Sequence, residues 1–151
     1  MTKTFDFGFG PVPAHRHSNG DGWVADSASV AESAWVERNA QVFGNAEVCD
    51  NARICGNAKV FGEARVSGDA EVSGDAWVFD NAEVSGRARV TGRARVAGDA
   101  WVYGAARVYG AAQVSGAARV CGKAEVFGKA EVYGDARVYG DAQIFEGDHH
   151  A

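Results

Sequence analysis

The chain has 151 residues, a formal net charge of −5 and 46% hydrophobic residues, which suits a single domain. The acidic balance argues against a nucleic acid polymer as the main partner. No apolar run approaches the ~18–20 residues of a membrane-crossing helix, so no membrane partner is expected either. The opening Met-Thr-Lys-Thr-Phe-Asp-Phe lacks the apolar core of a secretory signal, which makes the cytoplasm the expected compartment. Within residues 1–22, Phe5, Phe7 and Phe9 alternate as on a strand, and Gly10-Pro11-Val12-Pro13 then breaks it.

From 24 to 144 an aliphatic residue, Val or Ile, falls at every sixth position without exception. An alanine stands two residues before each, from Ala28 to Ala142; only Gly22 departs. The typical unit is Gly-Asp-Ala-Arg-Val-Tyr, as at 134–139. In Ala-x-Val-x the alternation has period two, so Ala and Val share one side and both x residues share the other. Gly or Asp and then a small or polar residue supply turn chemistry. Each hexad therefore reads as a four-residue strand and a two-residue corner. A helix is excluded, because six does not match the 3.6-residue period and a glycine in every unit would weaken it.

These residues carry a resemblance. An aliphatic residue at i with a small residue at i+4, as in Val102 and Ala106, resembles the hexapeptide-repeat proteins of the bacterial transferase type. The likeness spans 24–144. It implies an all-β fold, a left-handed parallel β-helix of triangular section, with three hexads to each coil. The left hand comes from the resemblance alone, since the general rule for parallel crossovers gives the opposite hand. Twenty-one hexads make about seven coils, a column roughly 34 Å tall at ~4.8 Å per coil. The domain reading is 1–22 as an N-terminal capping segment, with the three Phe over the first coil, 23–146 as the parallel β-helix, and 147–151 as a C-terminal tail. An open solenoid end needs such a cap.

Residues three hexads apart then stand above one another. Glu47, Arg65 and Glu83 form one charge ladder, and Arg53, Glu71 and Arg89 another. Corner rows match Asp69 with Arg87, Asp75 with Arg93, and Lys123 with Asp141. Opposite charges predominate, and cross-strand pairing of this kind is worth ~0.2–1 kcal/mol per pair. All thirteen aromatic residues of the coils fall on outward positions, because an Ala/Val core has no room for rings. Phe43, Phe61, Trp77 and Phe79 gather on one face and are the expected oligomer interface. The resemblance implies a homotrimer with parallel axes.

Cys49, Cys55 and Cys121 each follow a repeat aliphatic and point outward, too far apart for a disulfide within the chain. Surface thiols fit a reducing compartment. Hexapeptide-repeat acyltransferases use a histidine base between subunits and often an inserted loop. Here the coils hold neither a histidine nor an insertion, so enzymatic activity is not favoured and no cofactor is expected. His15 and His17 are the only candidates for a catalytic base, and they are weak candidates for a metal site, being spaced to point the same way in a strand. His149 and His150 lie at the far end of the column.

The favoured function is a non-enzymatic trimeric binding or scaffold module. Its specific form holds a small anionic, nucleotide-like ligand at grooves between subunits, through Trp77, Arg87, Arg89, Arg93, Arg95, Trp101 and Arg107. The alternatives are a coenzyme A-dependent acyltransferase and a purely structural, self-assembling spacer.

Overall fold

The computed structural model describes residues 3–146 and the backbone of residues 148–150. Among them there is no helix, and the strands form three sheets. The first face runs from Trp23–Ala25 through Gln41–Val42, Lys59–Val60, Trp77–Val78, Arg95–Val96 and Gln113–Val114 to Glu131–Tyr133. The second runs from Ser29–Val30 to Arg137–Val138 and the third from Trp35–Val36 to Gln143–Ile144, each a 7-stranded sheet. Paired residues along these runs are three hexads apart, as in Trp77↔Arg95, Glu83↔Trp101 and Glu71↔Arg89. The result is a parallel β-solenoid of three sides and about seven coils.

Most assigned strands are only two residues long, shorter than the four residues that the alternation suggests. The hydrogen bonding is nonetheless continuous. Arg65 N–H donates to Ala82 O, Ser67 N–H to Val84 O and the corner Asp69 N–H to Gly86 O, at 2.9, 2.9 and 2.8 Å. Corners are thus laddered from coil to coil like the flat faces, and their backbone groups are satisfied where they would otherwise be orphaned.

Each regular corner closes on itself as well. Ala70 N–H donates to Ser67 O at 3.3 Å, with Gly68 at φ 66° between them. A positive φ at the first central residue only is the pattern of a type II′ turn, which selects glycine. Asp50 and Asp80 occupy this position at φ 58° and 57°, and each carboxylate accepts from the glycine amide one coil on, Gly68 at 3.0 Å and Gly98 at 3.3 Å. Aspartate tolerates this region better than most residues, and here its side chain also gains a coil-to-coil bond.

The core is a column of alanine and valine. Val24 and every repeat aliphatic from Val36 to Val138 are buried, while Val30 and Ile144 at the two ends are partly buried. Among the described residues no aromatic ring enters this column.

The N-terminal segment differs from expectation. β1 (Thr4–Asp6) and β2 (Pro11–Arg16) form an antiparallel hairpin, and β2 pairs antiparallel with β3 (Trp23–Ala25), adding two strands to the first face. The prolines do not break the structure but sit inside β2, which is possible where the ladder does not need their missing N–H. The hairpin bend is held by Asp6, whose carboxylate accepts from Gly8 and Gly10 N–H at 2.7 and 3.0 Å. Phe5 and Phe7 do not cover the mouth of the column. They build a second small core on the outside of the first face with Ala14, Trp23, Ala25 and Phe43, and Phe9 is exposed.

The mouth is closed instead by 17–22. Gly22 N–H donates to Val36 O at 2.8 Å, Val36 N–H donates to Asn19 O at 3.1 Å, and an antiparallel bridge joins Asp21 to Glu37. At the other end the backbone of Asp148–His150 adds a parallel strand to Glu131–Tyr133. Its register slips by one position: Val132 pairs with His149, where three full hexads would bring it to His150. The C-terminal segment, read from sequence as a tail, thus contributes a strand; Gly147, Ala151 and the side chains of His149 and His150 lie outside the described residues.

Corner glycines stack so closely that a Cβ on Gly116 would lie 2.7 Å from Gly134 N, at φ 65°. Gly116→Ala is expected to destabilise the protein by ~1–3 kcal/mol, measured as a shift in the urea or thermal midpoint.

Candidate functional site

The outward rows place the chemistry. On the first face the rings of Phe43, Phe61 and Phe79 stack nearly parallel, with centroids 4.8 and 5.0 Å apart. Phe7 continues the stack beyond Phe43 at 4.8 Å, so Phe43 is buried by the chain's own hairpin and is not part of an exposed strip. Trp77 stands edge-on to Phe61 and Phe79, at 5.7 and 6.3 Å. Lys59 lies over one side of Trp77 at 5.5 Å and Arg95 over it at 4.7 Å. Register places the two cations one coil to either side of the indole, so it is held between them.

The remaining sequence-derived ligand candidates do not converge in one chain. Arg89 and Arg107 are neighbours on the third face, where they line a depression of about 370 Å³ with Thr91, Tyr109 and Glu125. Arg107 reaches Glu125 at 4.0 Å. Arg87 and Arg93 sit exposed at corners, and Trp101 lies on the second face. The charge ladders stack in the expected register, yet few side chains close into pairs. Among the described residues, Glu47–Arg65 at 3.3 Å and Arg107–Glu125 are the ion pairs between coils. Asp75 accepts from Asn57 at 3.4 Å and makes no ion pair with Arg93. Long exposed side chains gain too little from pairing to be fixed in one geometry.

Sequence reasoning singled out Trp101 on the second face but missed the row of tyrosines and a thiol beside it. Trp101, Arg119 and Arg137 are consecutive in one row, with the Arg119 guanidinium 5.0 Å over Trp101. Beside that row runs another, Tyr103, Cys121 and Tyr139. Tyr103, Arg119, Cys121, Arg137 and Tyr139 line a depression of about 450 Å³. The hydrogen bond to Cys121 holds the Tyr103 phenol above its ordinary pKa, with partial burial adding to it. The three-hexad spacing was a sufficient signal for this cluster; linear clustering of arginines drew attention to 87–95 instead.

The last coil carries the comparison with known proteins. Residues 130–146 match the family model of the YdcK beta solenoid repeat. The matched stretch includes Ala130, Val132, Ala136, Val138, Ala142 and Ile144, the inward residues of that coil. No curated protein and no solved structure matches the chain. Similarity to a YdcK-type repeat is similarity in shape, and a repeat specifies no reaction.

The two N-terminal histidines part company. His15 is exposed, with Nδ1 2.7 Å from Asp26 Oδ1. His17 follows the end of β2, is buried, and donates from Nε2 to Ala34 O at 2.8 Å. That bond sets its tautomer and ties the closing segment to the column. Among the described residues no three His, Cys, Asp or Glu side chains gather where they could hold a metal ion.

The three cysteines are free and half-buried. Burial pushes the Cys49 and Cys55 thiols up, and nearby carboxylates, Asp50 and Glu47 for the first and Glu37 and Glu71 for the second, push the same way. A raised pKa leaves less thiolate at neutral pH. Iodoacetamide should therefore modify Cys49 and Cys55 slowly at neutral pH, the rate climbing only as pH passes the usual thiol range, followed by peptide mass spectrometry. His17→Ala leaves the Ala34 carbonyl without its partner and should cost ~1–3 kcal/mol of stability in urea unfolding. The exposed His15→Ala should cost at most ~1 kcal/mol in the same measurement.

Proposed function

We propose that the protein is a non-catalytic binding or scaffold module, a rigid three-sided post that assembles as a homotrimer and holds small anionic, nucleotide-like ligands at the grooves between subunits. The observation that carries this reading is Trp77, held between Lys59 and Arg95 and flanked by Phe61 and Phe79. A ring and a guanidinium presented together on a flat, backbone-laddered face favour a ligand that has both a π surface and negative charge. Phe61, Trp77 and Phe79 are also the half-buried apolar residues of that face that a sister chain could cover. The resemblance to hexapeptide-repeat proteins supports the trimer, and the match to a solenoid repeat supports a role that rests on shape.

Light scattering on the purified chain tests the assembly: a trimer is expected, and Trp77→Glu should shift it towards monomer, whereas a wild-type monomer at ~10 μM would remove this part of the reading. A thermal shift with cyclic or linear nucleotides tests the ligand. Binding should weaken about tenfold in Arg95→Ala, and no shift across the panel would overturn it.

A further inference from the structure

Every outward row of this solenoid offers one side chain per coil. Where rings occupy successive coils they stack: Phe43–Phe61 at 4.8 Å, Phe61–Phe79 at 5.0 Å and Tyr109–Phe127 at 5.0 Å, with planes within 2–5°, and Phe127–Phe145 at the last coil more loosely at 5.9 Å and 26°. The row Tyr103, Cys121, Tyr139 breaks this rule in one place. It has a ring, then a thiol, then a ring. Two coil steps separate the tyrosine backbones, ~9.6 Å at β spacing, so the level of Cys121 is the position of an absent rung.

The space at that level is the depression of about 450 Å³ lined by Tyr103, Arg119, Cys121, Arg137 and Tyr139. Tyr139 is 69% exposed, so most of its ring has nothing against it. Tyr103 and Cys121 both line the depression, on successive coils of one row.

The charge bordering this gap is positive. Arg119 and Arg137 are directly opposite one another in register, a repulsive placement. Among the described residues neither has a carboxylate within salt-bridge reach, although Arg65 lower on the same face has Glu47 and Arg107 on the third face has Glu125. Two unneutralised guanidiniums therefore border an empty aromatic rung.

We propose that the gap over Cys121 binds a planar aromatic anion, with a ring of the ligand stacked between Tyr103 and Tyr139 and its sulfonate, carboxylate or phosphate on Arg119 and Arg137. The site lies on one face of one chain. It uses neither Trp77 nor Arg95 and does not rest on the grooves of a trimer.

The test uses the full chain and two anionic probes, naphthalene-1-sulfonate and adenosine monophosphate, with 1-naphthalenemethanol and adenosine as uncharged counterparts. Calorimetry should give binding of at least one anion, about tenfold tighter than its neutral counterpart. Cys121→Tyr inserts the missing ring and should weaken that binding by about tenfold or more without lowering the melting midpoint. Cys121→Ala keeps the gap and should keep the affinity. Arg137→Gln should weaken binding about tenfold, and Arg95→Ala should leave it unchanged, which separates this site from the one on the first face. Bound probe should also protect Cys121, but not Cys49 or Cys55, from N-ethylmaleimide. No binding of either anion up to about 5 mM would overturn the proposal. So would affinity that survives both Cys121→Tyr and Arg137→Gln, or alkylation of Cys121 that a bound probe does not slow.

Discussion

The structure depends on one repeated bond, an amide donating to a carbonyl of the next coil, as from Arg65 to Ala82 on a flat face and from Asp69 to Gly86 at a corner. That bond fixes the coil at three hexads and the rise at the spacing of neighbouring β-strands. It also leaves only a narrow interior, which Ala and Val fill, one of each from every regular hexad. Everything larger is sent outside. A ring on this protein is positioned by its backbone before any side-chain contact is made, which is why the phenylalanine stacks of the first face are parallel to within 3°.

The repeat made the column legible because a period of six with one alanine and one valine turned inward admits one parity and one set of neighbours. The pairing of Trp77 with Arg95, or of Glu71 with Arg53 and Arg89, follows from arithmetic on the residue numbers. The N-terminal segment was not legible in the same way. Phe5, Phe7 and Phe9 look like one face of a strand, yet Gly8 and Gly10 adopt positive φ and bend the chain around Asp6, so Phe5 and Phe7 share a small core while Phe9 is left in solvent. Gly20 and Gly22, which close the mouth over Val36, stand on positions of the repeat, and nothing in the period marks them as the closing segment.

Side-chain chemistry was legible as position but not as partnership. The opposite charges of Asp75 and Arg93 share a corner row, while Asp75 takes its hydrogen bond from Asn57. Exposed charges at the ends of long side chains are set by small energies that spacing cannot resolve. The histidines illustrate the opposite case. The spacing of His15 and His17 suggests one shared direction, but β2 ends at Arg16, and the change of course buries one imidazole and leaves the other in solvent.

The three-hexad offset makes the column modular in a discrete way. Removing or adding one whole coil between Gly44 and Gly128 would return each later strand to its own sheet, with its valine inside and its outward residues on the same side of the post. Removing one hexad would keep every valine inside yet turn all that follows by one side of the triangle, so that residues now on the second face would adjoin the aromatic stack of the first. Length can therefore drift in whole turns without disturbing what each side displays, while a single lost hexad rewrites the surface and spares the fold.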